Sequence, residues 1–258
     1  MTKFVDVLKE SFGVFADEPK FILPKLLIAV LYSVLIILTA DLSLQILENP
    51  DPELFGGALV LLAATLALAL LDIFVGSMYP FMVRDVKKNK PLSLAKAFSE
   101  AVAKAPVFMP SLVIVELGFL ALTFVLSLPL AFMFVYDEAY VAVFSLFYLV
   151  VLVAVVFFFF LLYPIIAFEK VSVVSSLKRS IKASLGNRAD VSKATLLSLV
   201  LSLFSFGLAF AIEFFPQNQD TVLFWLAFII VRFLTAYAYS YLFVLTPVFY
   251  LDYVGGKK

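Results

Sequence analysis

Tyr163-Pro164-Ile165-Ile166-Ala167-Phe168-Glu169-Lys170-Val171 closes a long apolar run and opens a basic, amphipathic one. Two other stretches read the same way. Tyr79-Pro80-Phe81-Met82-Val83-Arg84-Asp85-Val86 comes earlier, and Thr246-Pro247-Val248-Phe249-Tyr250-Leu251-Asp252-Tyr253-Val254 comes near the end. Each has a proline and, five residues later, an acid: Asp85, Glu169 and Asp252. The prolines lie 84 and 83 residues apart. A fixed period of this size is the mark of internal repetition.

Working outward from these junctions, each is preceded by runs long enough to cross a bilayer, which takes roughly 20 apolar residues. The runs are about 26–47, 54–83, 106–128, 141–168, 194–215 and 222–251. Each pair is preceded by a stretch with helical amphipathic spacing, suited to lie along a membrane surface. In 1–20, Phe4, Leu8, Ser11, Phe12 and Phe15 share a face. In 92–105 the apolar face holds Leu94, Ala97, Phe98, Ala101 and Val102. After Ser172, a candidate helix cap, Val173, Val174, Leu177 and Ile181 oppose Lys178, Arg179 and Lys182. Pro19 with Pro24, and Pro106 with Pro110, predict bends between surface helix and span. The expected fold is therefore an all-α polytopic membrane bundle. It has six transmembrane helices from three two-span repeats (about 1–86, 87–170 and 171–254) in a single membrane domain.

Composition agrees. The 258 residues are 64% hydrophobic with 30 Phe, and mean hydropathy is +1.10. A soluble domain is only about half apolar. The chain has no Cys and no His, which removes disulfides, thiolate metal sites and the usual general base. The first residues lack a charged start followed by a short apolar block, so no signal peptide is expected.

Charge gives the orientation. Eighteen of the nineteen Lys and Arg residues fall in 1–25, 84–104, 170–193 and the last two positions; the exception is Arg232. By the positive-inside rule, both termini are expected in the cytoplasm of a cell membrane. The turns at the other end carry acids, including Glu48, Asp51, Glu53, Asp137, Glu138 and Asp220.

Three ionisable residues fall inside the runs. Arg232 and Glu116 each lie about 15 Å into a span, and Asp72 about 16 Å from the end of its own, at ~1.5 Å of rise per residue. A charge at that depth is expensive, so the three are expected to face the bundle interior and to satisfy one another. Arg232 is expected to pair with Glu116 or Asp72, with Thr235 and Tyr239 on the same face. Asp72, Glu116, Arg232 and Tyr239 form the candidate intramembrane site, which reads either as an ion or solute site or as a structural ion pair. Lys178, Arg179, Lys182 and Arg188 form the densest basic cluster. They are candidates for contact with anionic lipid head groups or with another membrane protein, or they simply follow the positive-inside rule. The acids of the proline junctions are expected to meet the start of the next helix, where negative charge is favourable.

No phosphate-binding glycine loop, dinucleotide fingerprint, serine-hydrolase elbow or zinc-protease motif is present. The pI near 6.3 argues against nucleic acid. Pro164, Glu169 and Ser176-Leu177-Lys178-Arg179-Ser180, with Phe21-Ile22-Leu23-Pro24-Lys25-Leu26-Leu27 at the approach to the first span, resemble a broad family of uncharacterised prokaryotic six-helix membrane proteins. That family includes the membrane domain of some glycerophosphodiester phosphodiesterases. The resemblance implies a membrane bundle with no catalytic domain and supplies no substrate. The expected function is a non-enzymatic accessory or organising module at the inner leaflet, without cofactor. The alternative is a small transporter or channel with a midplane ionisable site. A water-accessible polar path joining the three charges to one face favours the alternative, and a dry, closed bundle with an exposed basic inner rim favours the module.

Overall fold

The computed structural model describes residues 3–48, 52–133, 139–213 and 222–255, and these residues form helices with no strand. α1 (Lys3–Asp17) leads through a 3-10 turn at Pro19–Phe21 into α2 (Ile22–Glu48), α3 (Pro52–Gly76) and the short α4 (Tyr79–Lys87). α5 (Leu94–Met133), α6 (Ala139–Phe159) and the short α7 (Leu162–Phe168) follow. α8 (Val173–Gly186), α9 (Arg188–Glu213) and α10 (Val222–Tyr253) complete the order. The turns of the acidic end fall at 49–51, 134–138 and 214–221, outside the described residues.

Five stretches are long and apolar enough to cross a bilayer: Pro19–Thr39, Gly56–Lys87, Leu94–Val125, Ser145–Phe168 and Phe224–Tyr253. The chain thus has the helices of a multi-pass membrane protein. α9, where the sequence places the fifth span, is not among the five. Arg188, Asp190 and Lys193 fall in its first six residues, and the run 194–213 that follows them is uncharged apart from its last residue.

The prolines act according to their place. Pro24, Pro80 and Pro164 sit in the first turns of α2, α4 and α7, where the missing N–H has no helical partner in any case. Two of the three junctions therefore begin a new helix just after a break, at Ser77–Met78 and at Phe160–Leu161. At the third, α10 runs through Pro247 without stopping. Pro106 and Pro110 differ from expectation. No helix ends there, and α5 continues for 40 residues through both. Ala97, Ala101, Phe108 and Leu112 make one buried stripe along it. Packing of that stripe holds the two parts in line, as neighbouring helices do for prolines inside spans.

The three junctions converge at the basic end and form the core. Tyr79, Phe81, Met82 and Val83 meet Leu161, Leu162, Ile165 and Ile166, and both meet Val244, Leu245, Val248 and Phe249. Phe160 stands edge-on to Phe249 at 5.8 Å, and Tyr163 to Phe243 at 5.3 Å. The buried Tyr79 hydroxyl donates to the Phe21 carbonyl at 2.8 Å and lies 3.1 Å from the Ser240 hydroxyl. That places the turn before α2 against α4 and α10.

The surface helices turn differently from their hydrophobic pattern. In α1, Phe4, Val7, Ser11 and Phe15 are buried while Phe12 is 57% exposed. In α5, Ala97 and Ala101 face inward and Phe98 and Val102 outward. In α8 the inward face is Ser176, Ser180, Ala183 and Ser184, and Val174 and Leu185 point out at 59% and 52% exposure. The cause is a backbone group. The last carbonyls of α6 have no partner in their own helix. Ser180 and Ser184 donate to the Phe158 carbonyl at 3.0 and 3.4 Å, and Ser176 meets Ser111 of α5 at 3.0 Å. An unmet buried carbonyl is costly, whereas an outward valine loses little where the solvent is lipid.

Candidate functional site

A cavity of about 700 Å³ lies among α2, α3, α5, α6, α9 and α10. Phe160, Tyr163, Phe243 and Thr246, which belong to or adjoin the junction core, line one end of it. Asp72, Glu116, Arg232 and Tyr239 all line it, as do Thr235, Tyr32 and Ser198. The remainder of the wall is largely apolar, including Ile28, Ile36, Leu112 and Val155.

The charges pair in a way the sequence does not suggest. Asp72 accepts a hydrogen bond from Lys25 Nζ at 2.6 Å, and the Lys25 side chain is only 6% exposed. The same ammonium lies 4.1 Å from the centre of the Phe243 ring. Gly76 makes this close approach possible. A Cβ there would fall 2.6 Å from the Phe243 ring and 3.1 Å from the Tyr163 hydroxyl.

Arg232 forms no ion pair with Asp72 or Glu116. Its Nε is buried without a hydrogen-bond partner among the described residues, and its guanidinium sits 5.0 Å from the Phe228 ring. The break after α3 explains the separation. Asp72 is four residues before that helix ends, about 6 Å from its end rather than deep in a continuous span. Phe243, beside Lys25, is eleven residues beyond Arg232, about 16 Å along α10. The cavity therefore has two charged stations. One is a satisfied Lys25–Asp72 pair near the junction core. The other is Arg232, with Tyr239 between the two and the exposed Glu116 on the facing wall.

At the basic end the junction acids meet side chains rather than helix amides. Asp85 pairs with Arg84 and Lys96, and Arg84 also with Glu100. Glu169 takes the Tyr250 hydroxyl at 2.7 Å and Arg179 Nε at 3.4 Å. Asp252 pairs with Lys87, which also reaches Glu10 of α1 at 2.7 Å. Burial alone would raise the Glu10 carboxyl, but hydrogen bonds accepted from the Asp252 carboxyl and from Lys87, with the Lys87 charge, hold it below its ordinary value. Of the four predicted surface contacts, Arg179 is engaged with Glu169, while Lys178, Lys182 and Arg188 are exposed.

Comparison with known protein families, curated proteins and solved structures finds no match. Sequence reasoning finds the cavity charges Asp72, Glu116 and Arg232 but passes over Lys25. The signal was there: Lys25 follows Pro24, and a proline in a first turn leaves the next residues inside the helix that it opens.

Proposed function

We propose that this chain is a non-enzymatic, six-span protein of the cell membrane that binds a small amphipathic anion in its central cavity and moves it across. Three two-span repeats build it, and both termini are cytoplasmic. The observation that carries the reading is Arg232: its buried Nε has no hydrogen-bond partner among the described residues, on the wall of a largely apolar cavity. A charge at such depth is costly, and intramembrane ionisable groups mark ligand and ion paths. The apolar wall suits the body of the solute and Arg232 its anionic group. The Lys25–Asp72 pair, 2.6 Å apart, is already satisfied and serves as a fixed polar end. The junctions' common packing supports the repeat. The resemblance to the prokaryotic six-helix family fits the same plan and adds no catalytic role. The basic cluster at Lys178, Lys182 and Arg188, exposed at one end, favours a second reading as an organising module at the inner leaflet.

The absence of cysteine makes the test direct. Thr235→Cys and Tyr239→Cys place single thiols on the cavity wall. Both are expected to react with a charged, membrane-impermeant methanethiosulfonate reagent in proteoliposomes, and faster in an Arg232→Ala background if a bound anion is lost. Thiols that react only with a small apolar maleimide would mean a dry cavity and would end the transport reading.

A further inference from the structure

A second concavity, of about 540 Å³, runs between α6 and α9 and shares no lining residue with the central cavity. Its wall is Ala154 and Phe157 from α6 and Leu196 and Leu199 from α9, with Ser192 and Thr195 among them. Thr195 is the group of this groove that, like Ser11 and Ser205 elsewhere, is buried without a partner among the described residues. It is 3% exposed, and its hydroxyl has no hydrogen-bond partner among the described residues. Thr39, Thr65 and Thr123 each return their hydroxyl to the carbonyl four residues back, at 2.8 Å, as does Ser198 at 2.9 Å. Thr195 does not. A buried hydroxyl left unpaired is costly, so the site lacks an acceptor that something else can supply.

The charges are set along the same line. Arg188, Ser192, Thr195, Leu196 and Leu199 recur at helical spacing and form one stripe of α9. Arg188 is exposed and stands seven residues, about 10 Å, toward the basic end from Thr195. Helical side chains lean toward the N-terminus, so its guanidinium reaches further that way. Asp190, the nearby acid, is engaged by Lys193 at 3.6 Å. Next to the stripe, α8 presents Lys178 and Lys182 between the outward Val174 and Leu185. Apolar residues beside lysines on an in-plane helix suit the boundary between acyl chains and head groups.

We propose that the α6–α9 groove holds an anionic phospholipid. One acyl chain lies along Ala154, Phe157, Leu196 and Leu199. An ester oxygen accepts the Thr195 hydroxyl, and the phosphate sits at Arg188, with Lys182 and Lys178 facing neighbouring head groups. Lipid is the occupant that matches the order of chemistry along the stripe: apolar, then hydroxyl, then cation at the end where anionic head groups attract basic residues. This site does not depend on the central cavity, so either reading survives failure of the other.

The test is native mass spectrometry of the full chain released from nanodiscs of equal phosphatidylglycerol and phosphatidylcholine. The wild type is expected to keep one phosphatidylglycerol in preference to phosphatidylcholine. Arg188→Gln is expected to abolish the preference. Thr195→Val weakens retention of both lipids alike, because both carry the ester, and Thr195→Ser restores it. Ala154→Trp fills the groove and loses the adduct. If that variant does not fold, the Arg188 and Thr195 series decides the matter. Equal retention of the two lipids by wild type overturns the proposal, as does an unchanged adduct in Arg188→Gln and Thr195→Val. A dimer that the Thr195 or Ala154 substitutions dissolve makes the occupant a second copy and overturns it too.

Discussion

At the basic end most polar groups between helices are matched, the buried Ser11 hydroxyl of α1 being an exception among the described residues. Tyr79 donates to the Phe21 carbonyl, Ser180 and Ser184 to that of Phe158, and Glu169 takes both Tyr250 and Arg179. In the central cavity the same helices carry Arg232 with a buried, unpartnered Nε and Glu116 with no ion pair among the described residues. One region uses its polar groups to fix the packing of broken helices. The other keeps polar groups unsatisfied across an open space. Proteins break the rule of local satisfaction where a site requires it, and the cost is met by packing elsewhere. The tightly built junctions are where this chain meets it.

Loosening the junction core should cost the most stability. Phe249 is 1% exposed, edge-on to Phe160 and in contact with Tyr253. Phe249→Ala leaves a void that rigid neighbours cannot fill, and is expected to cost about 3–5 kcal/mol. Thermal unfolding in detergent reads this directly. A loss no larger than that of an outward residue such as Val174→Ala would show that the junctions are not the stabilising region.

The cavity is expected to answer with the opposite sign. Arg232→Leu removes a charge whose place in the membrane is unfavourable, and should raise stability by about 2 kcal/mol. It should also abolish any effect of a bound anion on reactivity at Thr235→Cys. A stability loss instead would mean that Arg232 has a structural partner, and would place the cavity with the core. The two substitutions together separate a region selected for packing from one selected for binding.

These two regions were not equally legible in the sequence. The junctions were visible, because a proline followed five residues later by an acid recurs at a near-constant period, and the structure brings all three together. The cavity charges were visible as exceptions within apolar runs, but their pairing was not. Depth counted along the run ending at Val83 assumed an unbroken helix, and the turn at Ser77–Met78 shortens the distance from Asp72 to the basic end. Lys25 was hidden by its place beside Pro24 in an otherwise basic segment. The inward face of α8 was hidden for another reason. Hydrophobic periodicity weighs Ser176, Ser180 and Ser184 as polar and turns them outward. The carbonyl of Phe158, which decides the matter, lies in another helix and exists as an unmet acceptor only because α6 ends there. Long-range demands of this kind leave no periodic trace. Nor did the prolines at 106 and 110 tell their outcome, since the stripe through Ala97, Ala101, Phe108 and Leu112 holds α5 together across them.

The edge of the packed region, where α1 meets the junctions, is held more weakly. Lys87 bridges Glu10 of α1 and Asp252 of α10. Burial opposes the Glu10 charge, but the hydrogen bonds it accepts from the Asp252 carboxyl and Lys87, with the Lys87 charge, outweigh burial and lower its proton affinity. A carboxyl with a lowered folded value binds its proton more weakly folded than unfolded, so it stabilises the folded state above the unfolded value. That contribution is whole at neutral pH. It declines as pH falls below the ordinary carboxylate value of 4.5 and is gone once pH passes the lower folded value. The Glu10 side chain is 44% exposed, so solvent screens the pair and the contribution stays under about 1 kcal/mol. Hydrogen exchange along α1 is the measurement. Glu10→Gln is expected to exchange faster than wild type at pH 7, and the two are expected to converge on acidification below 4.5. A difference that widens instead would mean that Glu10 binds its proton more tightly folded than unfolded. In that case α1 is held by the packing of Phe4, Val7 and Phe15 and by the Tyr241 hydroxyl on the Leu8 carbonyl, and the ionic matching at the basic end stops at the junctions themselves.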